Sequence, residues 1–237
     1  MKFSSEAKFD NNLTELDKFN TQKYNYNYQE IDYPTKQRIS IILKLIGSNK
    51  KVLDIGCFNG YISEKIKQNN NIVYGVDNSK SSIEICKSKG IKCKLYNIEE
   101  GLPFNKEIFD VVHCGEIIEH IYNTDKLLKE INRVLTKDGY LVLTTPNLSS
   151  ISRRLKLLLG KNPGLDTSTF NEEGSDLSVG HIRYFTPGSI TILLNRNEFK
   201  IDKFCTDFIA FYKFRFTNVS RIFKTFGYTI IIKASKV

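Results

Sequence analysis

Between Lys51 and Pro146 short apolar runs alternate with amphipathic segments, and this alternation restricts the fold more than any other feature of the chain. Lys51–Ile55, Ile72–Val76, Ile91–Tyr96, Ile108–Cys114 and Tyr140–Thr145 read as strands, with Gly56, Asp77 and Pro146 closing the first, second and last. Three helices lie between them: Tyr61–Gln68, a segment capped by Ser79 that runs to about Lys89 and stops at Gly90, and one capped by Thr124. In the last, Leu127, Leu128, Ile131, Val134 and Leu135 share a face, and Asp138-Gly139 turns the chain into the next strand. A further helix, Thr35–Lys50, precedes the series with Ile39, Ile42, Leu43 and Ile46 on one side. Strands and helices joined by short loops imply a parallel sheet wound on both faces.

Beyond Pro146 the pattern loosens. Ile151–Leu159 reads as a helix, and Gly160–Gly180 is irregular. Thr186-Pro187 gives an N-cap and first helical position for a helix through about Arg196. Phe199–Phe208 and Tyr228–Lys233 read as strands, with a short helix near Val219–Phe226. The expected organisation is an arm or lid over residues 1–33 and one domain over 34–237, with a helical and irregular insertion at about 148–185.

Ligands of doubly wound sheets bind at the carboxyl ends of strands, near the point where strand order reverses. The turn after the first strand reads Asp54-Ile55-Gly56-Cys57-Phe58-Asn59-Gly60, and the second strand ends at Asp77-Asn78. Glycines allow a tight turn and close approach of a ligand to the backbone, and a carboxylate at Asp77 can accept both hydroxyls of a ribose. The spacing is GxxxG, not the GxGxxG of dinucleotide folds, and Gly60-Tyr61-Ile62 lacks the GK[ST] of a phosphate-binding loop.

This turn resembles motif I of the class I S-adenosylmethionine-dependent methyltransferases: Asp54, Gly56 and Gly60 match, while Phe58 stands where a glycine is usual. The resemblance covers about Thr35 to Lys236 and is nearest to the type 11 and type 12 groups. It implies a Rossmann-like, mostly parallel seven-stranded sheet with an antiparallel last strand. It also implies a methyl-donor site formed by Asp54, Gly56, Cys57, Gly60, Asp77 and Asn78, with Asn97-Ile98 at the adenine. Phe109–Cys114 is similar to motif IV, which places Cys114 by the methionine part of the cofactor.

Just past the fourth strand stands Glu116-Ile117-Ile118-Glu119-His120. On a helix, positions i, i+3 and i+4 share a face, so Glu116, Glu119 and His120 are expected to converge beside the cofactor. His181 follows in Gly180-His181-Ile182-Arg183-Tyr184-Phe185. The layout resembles the metal site of small-RNA 3′-terminal 2′-O-methyltransferases and part of it that of metal-dependent quinone O-methyltransferases. Two readings stay open: Glu119 and His120 as a metal-free catalytic pair, or Glu116, Glu119, His120 and His181 around a divalent ion such as Mn²⁺, Co²⁺ or Zn²⁺. His113, within a strand, reads as structural.

The net charge is +9, and from Leu148 onward 14 Lys/Arg face 7 Asp/Glu. Such a basic end suits an anionic acceptor, either a hydroxylated small molecule or a sugar or glycan intermediate, while solubility alone explains it equally well. RNA ribose remains an alternative acceptor, although no RNA-binding module is visible, and a non-catalytic partner subunit is the third reading. The five cysteines form no CxxC pair and read as small buried hydrophobes in a reducing, cytoplasmic setting. The start of the sequence has no apolar signal segment, and no run suits a membrane span. Tyr24, Tyr26, Tyr28 and Tyr33 fit a substrate lid or a loose arm. Ile151–Leu159 with Phe208, Phe211, Phe214 and Phe216 fits either a core insertion or a basic, aromatic peripheral membrane surface. The oligomeric state is not readable from the sequence.

Overall fold

A computed structural model describes residues 33–163, 180–211, 214–216 and 225–237. Helix α1 (Tyr33–Ile46) leads into β1 (Lys51–Ile55), α2 (Tyr61–Gln68), β2 (Ile72–Asp77), α3 (Lys80–Ser88) and β3 (Lys92–Leu95). Then come β4 (Phe109–Gly115), α4 (Thr124–Val134), β5 (Leu135–Pro146), α5 (Ile151–Leu158) and α6 (Pro187–Arg196). The chain ends with β6 (Phe199–Thr206), β7 (Ile209–Phe211), β8 (Phe214–Phe216) and β9 (Thr229–Lys236).

The main sheet has seven strands in the order β3-β2-β1-β4-β5-β9-β6. Pairing is parallel from β3 through β5, and β9 runs antiparallel between β5 and β6. The doubly wound, Rossmann-like architecture expected from the alternation is therefore present. Strand order reverses between β1 and β4, which both start at the sheet centre and lead outward in opposite directions.

Successive residues of each central strand serve opposite faces. Val52, Val111, Val142 and Ile231 pack with Ile42, Leu45 and Ile46 of α1, Ile66 of α2 and Ile83 of α3. Their neighbours Leu53, Val112, Leu143 and Ile232 pack with Leu127, Leu128 and Ile131 of α4 and Ile190 and Leu194 of α6. Each fully buried aliphatic contributes about 1.5–3 kcal/mol, so a one-residue slip that exposed either set would be prohibitive. Sheet register follows directly from this two-sided pattern.

Several boundaries differ from expectation. Helix α1 stops at Ile46 rather than Lys50, because Gly47 turns left-handed at φ 79° while its N–H still bonds Leu43. Asn123, not Thr124, caps α4, its side chain accepting from the N–H of Lys126 at 3.0 Å. The Thr186 cap is present as a reciprocal box with Ser189. The β7–β8 ribbon had no counterpart in the sequence reading. In helix α5 Ile151 and Leu155 are half-buried while Leu157 and Leu158, with Leu159 after it, are exposed; Arg153 is buried, donating to the Asn147 carbonyl and lying over the Tyr228 ring. Tyr24, Tyr26 and Tyr28, most of the irregular stretch and most of the expected Val219–Phe226 helix lie outside the described residues. Among the described residues no helix is long and apolar enough to cross a membrane.

The β1–α2 turn decides where a ligand can lie. The N–H groups of Gly56 and Cys57 both reach the Val76 carbonyl, at 2.8 and 3.2 Å, and Gly60 bonds back to Cys57 at 2.9 Å. Gly56, Phe58 and Gly60 all have positive φ, 69°, 44° and 74°. Phe58 thus occupies a left-handed position that costs a residue with a Cβ about 1–2 kcal/mol, which explains why glycine is the usual choice there. Phe58→Gly is expected to be more stable than Phe58→Ala by about 1 kcal/mol in urea unfolding, the reverse of the order in ordinary extended or helical backbone.

Candidate active site

The carboxyl ends of β1, β2, β4 and β5 meet around this turn. Asp77, half-buried at the end of β2, accepts the N–H of Ser79 on one oxygen and that of Phe58 on the other, both at 2.9 Å. A carboxylate has about four lone-pair positions, so capacity remains for the two hydroxyls of a ribose. Burial raises its pKa, partly offset by the Ser79 and Phe58 N–H groups. Asn78 beside it is exposed. Asn97 caps the short 3-10 turn Ile98–Glu100, accepting from the N–H of Glu99, and Ile98 is half-buried against the core. Asp77, the Gly56–Gly60 turn and half-buried Ile98 are the residues expected to hold an adenosine-bearing cofactor, while the side-chain directions of Gly56 and Gly60 face Ile117 and Cys86.

Three expected cofactor contacts stand differently. Asp54 is only 2% exposed, and its carboxylate accepts from Ser63 of α2 and meets His113 Nδ1 of β4 at 2.7 Å. Its side chain lies beneath the turn, tied to α2 and β4. The Cys57 side chain is likewise turned under the loop, toward Cys86 and Cys93, leaving only its backbone beside the cleft. Cys114 is fully buried within β4, and burial pushes its thiol pKa up.

The acidic segment after β4 is not a helix through Glu116. Glu116 has φ 54°, and only Ile118–His120 forms a 3-10 turn. That break separates Glu116 from the group it was expected to join. It accepts from Thr144 Oγ1 at 2.9 Å and lies 3.9 Å from the Arg38 guanidinium. Glu119, His120 and His181 do converge, with a ligand atom of each within 4.8 Å of the others. The backbone arranges this: the Glu119 carbonyl accepts both Ile182 and Arg183 N–H at 3.0 Å, docking the His181 loop onto the turn. Arg183 holds the same loop by donating to the Ile121 and Tyr122 carbonyls.

Glu119 is 1% exposed. Thr145 Oγ1 donates to its Oε2 at 3.0 Å, while buried Oε1 has no hydrogen-bond partner and stands 3.9 Å from His181 Nε2. Burial first, and then the Glu116 charge, push the Glu119 pKa well above the ordinary carboxylate range, with Thr145 and Arg38 opposing. His120 Nδ1 is 3.0 Å from the Gly180 carbonyl, so in the neutral ring the proton sits on Nδ1 and Nε2 carries the lone pair. The two imidazoles are 4.9 Å apart between centroids. A Cβ on Gly56 would strike the Ile117 side chain, so the glycine turn packs against the segment that carries Glu119 and His120. Arg38, Thr144 and Thr145 were missed by sequence reasoning. The two threonines could have been found by their place at the carboxyl end of a central strand; Arg38 carries no such signal.

A family model described as "Methyltransferase domain" matches residues 46–175, more than half of the chain. The chain belongs to this methyltransferase-domain family. It is a class I domain whose cofactor is S-adenosylmethionine. Among curated proteins, the ubiquinone biosynthesis O-methyltransferase of Pelagibacter ubique is 35% identical over 133 residues, 52% of this chain and 55% of that protein. The mitochondrial enzyme of the same name from Rattus norvegicus is 29% identical over 123 residues, 48% of this chain and 36% of its own. The matches thus span only about a third to a half of these relatives. In fold, the methyltransferase domain is similar to a SAM-dependent methyltransferase of Archaeoglobus fulgidus, with TM-score 0.63 and 19% identity over 85% of this chain and 93% of the other. A second, from Thermotoga maritima, has TM-score 0.62 and 18% identity over 94% and 98% of the two chains.

Asp77→Ala removes a charged acceptor from the ribose position and is expected to weaken S-adenosylhomocysteine binding by about 1.5–3 kcal/mol, measured by isothermal titration. The raised Glu119 pKa has a signed consequence for the metal-free protein. The native state holds that proton more tightly than the unfolded chain, so stability is greatest below the ordinary carboxylate range and falls as pH rises through the native pKa. Glu119→Gln is expected to flatten this decline in melting temperature, with the two proteins converging at acid pH.

Proposed function

We propose that the domain transfers the methyl group of S-adenosylmethionine to a hydroxyl oxygen of a small, anionic acceptor, a hydroxylated ring or a sugar intermediate. The observation that carries this reading is the Glu119–His120–His181 cluster beside the cofactor turn, with one buried carboxylate oxygen unpartnered. Methyl transfer from a sulfonium needs mainly alignment of nucleophile, carbon and sulfur. A hydroxyl nucleophile gains further from a base that takes its proton, and His120 Nε2, with its tautomer set by the Gly180 carbonyl, is the group suited to that role. The O-methyltransferase relatives support oxygen as the acceptor atom. The excess of Lys and Arg after Leu148 supports a negative charge on the acceptor.

The same three donors suit a divalent cation, since mixed carboxylate and imidazole sets favour Zn²⁺, Mn²⁺ or Co²⁺ over Mg²⁺. Bound there by Glu119, His120 and His181, such an ion would lower the pKa of an acceptor hydroxyl. RNA ribose 2′-hydroxyl is the second acceptor reading, favoured by this two-histidine layout together with the basic charge.

The test is the purified chain with methyl-labelled cofactor and a panel of phenols, sugars and short RNAs, with and without EDTA. Methyl ethers on a small anionic acceptor are the expected product. His120→Ala is expected to lower kcat by about 100-fold or more while S-adenosylhomocysteine affinity holds. Transfer to RNA alone would establish the second reading, and products methylated on nitrogen or carbon would overturn both. Full activity in EDTA, with no metal in the purified protein, would remove the cation.

A further inference from the structure

Beneath the cofactor turn the fold gathers three cysteines that are far apart in sequence. Cys57 lies in the β1–α2 turn, Cys86 in the last turns of α3 and Cys93 in β3. Their sulfurs are 2.7 Å apart for Cys86–Cys93, 3.8 Å for Cys57–Cys86 and 4.0 Å for Cys57–Cys93. All three are buried, and none is in a disulfide. Two glycines make the room. A Cβ on Gly75 would stand 2.6 Å from Cys57 Sγ and 2.9 Å from Cys93 Sγ, and one on Gly60 would stand 2.9 Å from Cys86 Sγ.

We propose that Cys86 and Cys93 form a redox-active thiol pair, converted by a hydroperoxide into a disulfide directly under the Gly60 turn. The Cys93 thiolate attacks a peroxide oxygen; the S–O bond forms as the O–O bond breaks, and the leaving oxygen takes a proton to become water or an alcohol. Cys86 then loses its proton and attacks the Cys93 sulfur. The S–S bond forms, the S–O bond breaks, and the departing hydroxide leaves as water. Two thiols are oxidised by two electrons, and the hydroperoxide is reduced by the same two.

Geometry favours this pair over any other. The Cys86 and Cys93 sulfurs need close by only about 0.7 Å to reach a covalent length near 2.05 Å, whereas Cys57 must move more than twice as far. The pair also has an asymmetry suited to the order of steps. Hydrogen bonding with Cys57 and then Cys86 lowers the Cys93 thiol pKa against burial, which suits it to attack first. Cys86, lowered by Cys57 but raised more by Cys93 and burial together, is pushed up to about 12. A metal held by all three sulfurs is the rival. The group offers three donors where structural zinc takes four. A disulfide is neutral and matches the apolar setting of the cysteines.

The experiment treats the reduced full chain with stoichiometric hydrogen peroxide, blocks remaining thiols with N-ethylmaleimide and maps the digest by mass spectrometry. Expected are loss of two of the five thiols, a Cys86–Cys93 linkage and full reversal by dithiothreitol. In Cys86→Ser the Cys93 sulfenic acid should be trapped by dimedone instead. Five free thiols after treatment, a linkage through Cys57, or stoichiometric zinc retained by the three thiols would each overturn the assignment. Wild-type mapping alone decides it if the variant fails to fold. Because it counts sulfur bonds, its outcome is independent of which acceptor the domain methylates.

Discussion

The Asp54 carboxylate holds together the three elements that meet where strand order reverses. It sits in β1 opposite His113 of β4 in the parallel register, bonds that ring at 2.7 Å, and takes the Ser63 hydroxyl of α2 on its other oxygen. A carboxylate this deeply buried is tolerated because both oxygens are engaged; leaving a buried partner unsatisfied costs about 1–3 kcal/mol. The consequence is positional. With β1, β4 and α2 clamped below the Gly56–Gly60 turn, that turn cannot drift from the end of β2, and Asp77 can reach back to the Phe58 N–H. An acid at the head of this motif therefore acts through the backbone it fixes, while the acid one strand over remains available to a ligand.

That division of labour could not be read from residue order. Asp54 and Asp77 each stand two residues from a glycine near a strand end, and position alone does not show that the Asp54 carboxylate is held beneath the turn. Their roles separate only through partners remote in sequence, Ser63 and His113 for one and Phe58 and Ser79 for the other. The two-sided core, by contrast, was readable, because Val52/Leu53, Val111/Val112 and Val142/Leu143 write a two-face burial pattern along the chain itself. Helix caps were readable where side chain and position agreed, as at Ser79 and Thr186, and misassigned where Asn123 and Thr124 compete one residue apart.

The Glu116–His120 segment marks the limit of periodicity arguments. Its spacing suggests one helical face, but the chain leaves β4 at Gly115 and must turn before any helix can start; Glu116 absorbs that turn at φ 54°. The shift sends Glu116 toward Thr144 and Arg38 and leaves Glu119 and His120 to meet His181, so the distant histidine joins the group and the near carboxylate does not. The cysteines show the same limit from the other side. Sequence spacing offered no CxxC pair, yet a strand, a helix end and a turn that are adjacent in a parallel sheet bring three sulfurs together.

Glu119 then has a physical reason to be where it is. A carboxylate buried with one oxygen unpartnered, and under the field of Glu116, is costly when ionised, and the fold offsets only part of that cost through Thr145 and the more distant Arg38. The deficit is removed by whatever brings a proton or positive charge to Oε1, and the neighbours placed to do so are the imidazoles at His120 and His181.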